Sequence, residues 1–210
     1  MLQFDVGIGR PRNYNAGMSY YSRKGDDGTT GWLGKGRLPK NHDRIEALGS
    51  LDESSAALGL ARSAVRGPQT AGLLVEAQRD LYLLMAEVSA RPEDAERFRF
   101  PADRVAWLEQ QIAILEKDVP APEGFILPGD SPAGAALDLA RTIVRRAERR
   151  VVMLVRQGHV TNPTILQYLN RLSSLLFVLE LAENILAGTK TAAARASQPD
   201  QKSAKSGKLR

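Results

Sequence analysis

Two segments of this 210-residue chain carry side chains suited to chemistry. The first runs Ser22-Arg23-Lys24-Gly25-Asp26-Asp27-Gly28-Thr29-Thr30-Gly31, followed by Lys35, Arg37 and Lys40. Glycines at every third position let backbone N–H groups converge on one concavity, flanked by hydroxyl and cationic side chains. An oligophosphate needs that combination: donors at close range and positive charge nearby. The segment is not a P-loop, because Gly-x-x-x-x-Gly-Lys-Ser/Thr does not occur. A Gly/Asp-rich surface hairpin is the competing reading of the same residues. The second segment, Arg141 to Arg150, places Arg141, Arg145 and Arg149 four apart, so their guanidinium groups stack along one helical face beside Arg146 and Glu148. Like charges at that spacing repel, and an anion among them would relieve the cost. Arginine forks grip phosphate oxygens in pairs and stay charged when half-buried. A solvated basic face, or a helix lying on a DNA backbone, explains the same spacing.

Other constellations are sparser. Asp52 and Glu53 sit among small residues, Ser54 to Ala57, and read as a solvated acidic pair. Asn170-Arg171-Leu172-Ser173-Ser174 interrupts an apolar stretch with polar groups that need partners if buried. Phe125, in Gly-Phe-Ile-Leu-Pro-Gly, reads as core filler close enough to the arginine helix to line the same cavity. The chain has no cysteine, which excludes disulfides, thiolate metal sites and a cysteine nucleophile. His42 and His159 lie far apart and read as surface residues, so no metal-ligand set is expected.

The elements that must position these residues follow from periodicity. Residues 1–19 read as a flexible arm, and 20–42 as a polar segment punctuated by glycine. Five helices follow. The first covers 44–66, with Ile45, Leu48, Leu51, Leu58 and Ala61 on one face, and Gly67-Pro68 stops it. Thr70 caps a second over 71–90, and Asp103 caps a third over 104–117. Ser131-Pro132 opens a fourth that ends near Arg156 before Gly158, and Asn162-Pro163 opens a fifth reaching Ala187. No segment alternates convincingly as a strand. The expected fold is all-α, a five-helix up-and-down bundle with short connections.

The net charge of +5 resides in the last 23 residues, where six basic side chains face Asp200. Residues 188–210 therefore read as a disordered basic tail, and the body over 20–187 as the folded domain. A neutral body argues against a nucleic-acid partner. No stretch reaches about 18 uncharged apolar residues, so neither a membrane span nor a secretory leader is expected, and the cytoplasm is the expected compartment.

Taken together, Ser22 to Lys40, Arg44-x-x-Ala47-x-Gly49-x-x-Asp52-Glu53, Phe125 to Gly129, Arg141-x-x-x-Arg145-Arg146-Ala147-Glu148-Arg149 and Tyr168 to Ser173 resemble the PduO-type ATP:cob(I)alamin adenosyltransferases. The resemblance covers residues 20–187. It implies a homotrimer of five-helix bundles with active sites between subunits, and transfer of the adenosyl group of ATP to the cobalt of reduced cobalamin, with Mg²⁺. It also implies ATP contacts from Ser22, Arg23, Lys24, Gly25, Thr30, Gly31, Lys40, Arg145, Arg146, Glu148, Arg149 and Asn170. On the corrinoid side it implies Phe125, which displaces the lower axial base, and an Asp52–Arg141 ion pair. A reductase and a B12-dependent acceptor enzyme are the implied partners. Several positions depart from the family pattern. Lys24 replaces a threonine, Asp138 a frequent histidine, Asp130 a glycine and Ser174 an aspartate, while Ser54-Ser55 replace Leu-Asn. These departures keep open a second reading, a non-catalytic relative that binds ATP or adenosylcobalamin as carrier or sensor.

Overall fold

Proline and Ser131 mark the starts of three of the helices, at Pro68, at Ser131-Pro132 and at Pro163. The computed structural model describes Tyr21 and residues 23–195. The arm at 1–19, Ser22 and the tail beyond Arg195 lie outside the described residues. Helix α1 spans Asp43–Ala64, α2 Pro68–Ser89, α3 Asp103–Leu115, α4 Pro132–Arg156 and α5 Thr164–Leu186. A 3-10 helix over Pro92–Phe98 brings the helical elements to six. Ser131 caps α4 as expected, its Oγ accepting from Gly134 N at 2.9 Å. Gly158 and Gly188, at φ +74° and +69°, follow the ends of α4 and α5 in the left-handed region that favours glycine.

Three local expectations are corrected. Thr70 does not cap α2: Pro68 at the first helical position lets the helix start early, and Thr70 is buried in its first turn. Asp103 is the first residue of α3 rather than its cap, though its carboxylate still meets the positive end of the helix dipole. His42 is a half-buried cap, not a bare surface residue, with Nδ1 accepting from Arg44 N at 3.1 Å. A fourth correction concerns strands. Thr29–Gly31 (β1) and Arg37–Pro39 (β2) pair antiparallel, in the glycine-rich segment where a surface hairpin was one of two readings.

Helix directions alternate. Gln157 bonds Asp43, and Arg146 pairs with Glu53, so α4 runs against α1. Asn170 bonds Glu148, and Ser131 bonds Asn184, so α5 runs against α4. Helix α5 is the core helix. It is long and apolar enough to cross a bilayer by length and composition, but it packs on α4, α3 and α2 and carries Glu180 and Glu183 on its buried face. Around it Leu51, Leu58, Leu74, Leu81, Leu137 and Leu154 are wholly buried, each contributing about 1.5–3 kcal/mol.

One buried polar cluster ties three helices together. Asp80 of α2 accepts from Arg104 Nε and Nη2 of α3 at 2.7 and 2.8 Å, and from the Tyr168 hydroxyl of α5 at 2.8 Å. Burial, then the Asp80 charge, pushes the Tyr168 hydroxyl well above its usual range. Removing Asp80 leaves the half-buried Arg104 guanidinium and the buried Tyr168 hydroxyl without their carboxylate. Asp80→Ala is therefore expected to cost about 3–5 kcal/mol of stability, read by urea unfolding. A loss below about 1 kcal/mol would show that the cluster contributes only packing.

Candidate functional site

The glycine-rich hairpin is organised by Arg37. Its Nε donates to Thr29 Oγ1 at 2.7 Å, and its Nη2 donates to Thr29 O at 2.8 Å and Lys24 O at 2.5 Å. Asp27 accepts from Thr29 N and Oγ1 at 2.9 and 2.8 Å, and these bonds, with the Arg37 charge, hold its carboxyl below the usual range. Gly28 makes the turn at φ +79°, and Lys40 N closes it onto Gly28 O at 2.9 Å. A Cβ at Gly25 would lie 3.3 Å from Lys40 Nζ, so the ammonium comes down beside bare backbone. Arg23, Lys24, Gly25, Thr30, Gly31 and Lys40 thus share one hairpin, while Ser22 lies outside the described residues. Arg23 holds a left-handed φ of 55°, a conformation that costs a non-glycine residue energy.

The hairpin is anchored by a residue to which sequence reasoning attached no role. Arg44, 3% exposed, donates to Val88 O and Ala90 O at the end of α2 and to His159 O after α4. Trp32 of the hairpin stacks over its guanidinium at 5.4 Å, and Leu33 N bonds Ser89 Oγ at 3.1 Å. A cation placed on the carbonyls of a helix C-terminus satisfies groups the helix leaves unpaired. Burial lowers the Arg44 pKa. No local pattern marks such a residue, because its partners lie 44 to 115 positions away.

On α4 the arginines divide their tasks. Arg145 and Arg149 are exposed, Arg149 Nη1 donating to Arg145 O at 2.9 Å, and no ion pair engages either among the described residues. Glu148 receives Asn170 Nδ2 at 3.4 Å, so these four residues share the face between α4 and α5. Arg146 points the other way, to Glu53. Arg141 Nε and Nη2 both reach Asp138 Oδ1 at 2.7 Å.

The expected Asp52–Arg141 pair is not made within the chain. Asp52 is exposed, and the Asp43–Gln157 and Glu53–Arg146 contacts place it beside residue 147 of α4. Arg141 lies six residues further along, about 9 Å at 1.5 Å per residue. Asp138, one turn before Arg141, takes the guanidinium instead.

Phe125 is also corrected: it is 91% exposed, not core filler. Its loop, residues 120–126, lines a cavity of about 800 Å³ together with Leu181, Ile185, Thr189, Thr191 and residues 193–195. Those last residues do not behave as a tail. Leu127 N donates to Ala192 O and Ala194 N to Phe125 O, each at 2.8 Å, and Ala192 N reaches Asp130 at 2.9 Å. The composition that marked them as tail lacks apolar bulk, but backbone pairing needs none.

The hairpin lies near the C-terminus of α4 and the Phe125 loop near its N-terminus. Twenty-five residues separate these ends along α4, about 37 Å. The fold and site therefore define an all-α bundle with a cationic glycine hairpin at one end and an aromatic loop over a cavity at the other.

The chain belongs to the cobalamin adenosyltransferase family, whose model matches residues 20–183. It is 40% identical over 169 residues to the corrinoid adenosyltransferase PduO of Citrobacter freundii, covering 80% of this chain and 50% of that protein. It is 36% identical over 176 residues to the corrinoid adenosyltransferase of Bacillus subtilis, covering 81% of this chain and 89% of the other. The chain thus spans about half the length of the PduO relative and most of the Bacillus one. A variant PduO-type ATP:corrinoid adenosyltransferase from Lactobacillus reuteri, solved with cobalamin and ATP, superposes with a TM-score of 0.79 at 33% identity. That match covers 85% of this chain and 100% of the other.

Arg37→Ala removes three bonds that hold the hairpin closed. Backbone amide exchange over residues 24–40 is expected to accelerate at least about tenfold, while the bundle's Tm moves by only a few degrees. Unchanged exchange would show that β1–β2 pairing alone holds the segment.

Proposed function

We propose that this chain transfers the 5′-deoxyadenosyl group of ATP to the cobalt of reduced cob(I)alamin, releasing triphosphate. Family membership supports the class of reaction, and one observation carries the site: Arg145 and Arg149 stand exposed and, among the described residues, without an ion pair beside Glu148 and Asn170. A row of like charges without a counter-anion is complementary to a polyphosphate. Backbone donors and cations of the hairpin, from Arg23, Lys24, Gly25, Thr30, Gly31 and Lys40, supply the same chemistry from a second direction. In the reaction, Co(I) gives its electron pair to C5′, the C5′–O bond breaks, and triphosphate leaves with that bond's electrons. Charge develops on the leaving oxygen, where fixed cations lower the barrier because they need no reorganisation. No side-chain nucleophile is required.

Mg²⁺ fits as a companion of the nucleotide rather than as a resident ion. Among the described residues no cluster of three acidic or histidine groups exists to hold one, while Glu148 offers a carboxylate at the arginine face. Its chemistry is to neutralise phosphate charge. The corrinoid belongs at Phe125, whose exposed ring can lie against the lower face of the macrocycle and exclude an axial ligand.

The hairpin lies at one end of α4 and the Phe125 loop at the other, and the helix is about 37 Å long, so closing both around one substrate pair calls for more than one chain. A homotrimer, with hairpin and arginine face from neighbouring subunits, removes the difficulty. The Asp52–Arg141 pair, which is not made within one chain, belongs in this proposal to the contact between copies. A reductase that delivers Co(I) and a B12-dependent acceptor of the product complete the scheme, and ATP consumption points to the cytoplasm.

Anaerobic incubation with cob(I)alamin and ATP tests the proposal. The alkylcobalamin spectrum is expected to appear with one triphosphate released per turnover; binding of both substrates without that product would establish the carrier reading instead. Arg145→Ala is expected to lower kcat/KM by about 10- to 150-fold, since a charge-assisted phosphate contact contributes about 1.5–3 kcal/mol. The helical circular-dichroism signal is expected to persist, and unchanged turnover would remove the arginine face from the site. Phe125→Ala is expected to leave ATP affinity within about twofold while slowing adenosylation at least about tenfold. A variant that binds cobalamin with an unaltered spectrum and reacts normally would assign Phe125 no part in the chemistry.

A further inference from the structure

Glu180 is wholly buried at the α4–α5 seam, and neither of its carboxyl oxygens has a hydrogen-bond donor. Nothing in the reaction above employs it. The group facing it is another carboxyl, Asp138, which one turn later on α4 holds Arg141 through a single oxygen, Oδ1. Two carboxylates have no donor between them, so they repel unless one carries a proton. Asp138 already accepts from Arg141, whereas Glu180 has no partner, so a proton on Glu180 supplies the missing donor.

We propose that Glu180 is a positioning residue for Arg141: its neutral carboxylic acid donates to Asp138, and this bond holds Asp138 against the guanidinium on the corrinoid side of the site. The inference rests on the reading of Arg141 as a corrinoid-side residue. Geometry supplies the reason. An Asp138–Arg141 pair at half-buried positions has other rotamers available, and a donor behind Asp138 leaves one arrangement in which both carboxyls are satisfied.

The charged groups around Glu180 make the device sensitive to pH. Burial above all, then the Asp138 charge, pushes Glu180 up to about 7, with Asp130 adding to the shift and Arg141 opposing it. Glu183, on the same helix, is turned away and occupied by Arg66 N and Gly67 N at 2.8 and 3.1 Å. The folded form thus keeps a proton that an unfolded glutamate gives up at its ordinary, lower pKa. The bond is present below pH 7 and is lost as pH rises through it. Above that point Glu180 is a second buried anion, it repels Asp138, and both compete for Arg141.

The test compares the full-length protein with Glu180→Gln and Glu180→Ala. In the wild type, KM for cob(I)alamin is expected to rise about threefold or more between pH 6 and 8.5, while KM for ATP stays level. Glu180→Gln should lose that inflection, because an amide donates to Asp138 at every pH; Glu180→Ala should show the raised KM throughout. Carboxyl-carbon NMR of the wild type should find a glutamate titrating near 7 that Glu180→Gln lacks, and the Arg141 side-chain Nε signal should move with the same midpoint. An inflection that survives in Glu180→Gln, or a wild-type spectrum with no such glutamate, overturns the inference. A wild type that makes no adenosylcobalamin at any pH overturns the proposed reaction instead. In that case the Arg141 signal alone decides whether Glu180 controls it.

Discussion

The arginines of the candidate site are arranged by helix α4, whose first turn is fastened to α5 by a buried polar contact. Ser131 Oγ accepts from Gly134 N and donates to Asn184 Oδ1 at 2.6 Å, closing the helix end and fastening it to α5 with one hydroxyl. The approach is so close that a Cβ on Gly134 would overlap the Asn184 amide, so only glycine admits it. Once that end is seated, the rise of the helix decides the rest. Asp138, Arg141, Arg145, Glu148 and Arg149 follow at set heights along α5, and the C-terminus arrives beside the loop that Arg44 fastens to the hairpin.

Electrostatics along α4 follow from this seating. Arg146 pairs with Glu53 in water, an interaction worth little, and Arg141 is held by Asp138. Among the described residues, Arg145 and Arg149 have no ion-pair partner. Their repulsion costs a few tenths of a kcal/mol, small beside the 5–15 kcal/mol of a typical domain, so the fold tolerates it. The same repulsion becomes favourable energy when a polyanion arrives. Glu180, one helix away, is the opposite case: a group whose charge the core resists, so that a proton rather than a cation satisfies it.

The two ends of the bundle have different constructions. At the hairpin end a buried guanidinium gathers carbonyls from α2 and the loop after α4. At the Phe125 end, among the described residues, a short backbone pairing between residues 125–127 and 192–194 and the bond from Ala192 N to Asp130 hold the loop. A loop held by two or three hydrogen bonds can yield at modest cost, whereas the Arg44 assembly holds the glycine-rich hairpin in place.

The helices, their order and the Ser131-Pro132 start were legible in the sequence because periodicity and capping depend on neighbours within one or two turns. The placing of Arg141, Arg145 and Arg149 four apart on one helix was legible for the same reason, as was the family resemblance, although Arg141 turns to Asp138 instead of stacking with the other two. The glycine-rich segment was legible as two alternatives, and the structure decided for a hairpin that keeps lysine and threonine side chains beside bare backbone. Tertiary structure alone decided which carboxylate Arg141 takes, because the choice between Asp52 and Asp138 turns on the register of α1 against α4. It alone exposed Phe125, paired residues 192–194 with its loop, and buried Glu180 against Asp138. Each of these depends on contacts between residues tens of positions apart, and no local pattern of residue types encodes the height at which one helix meets another.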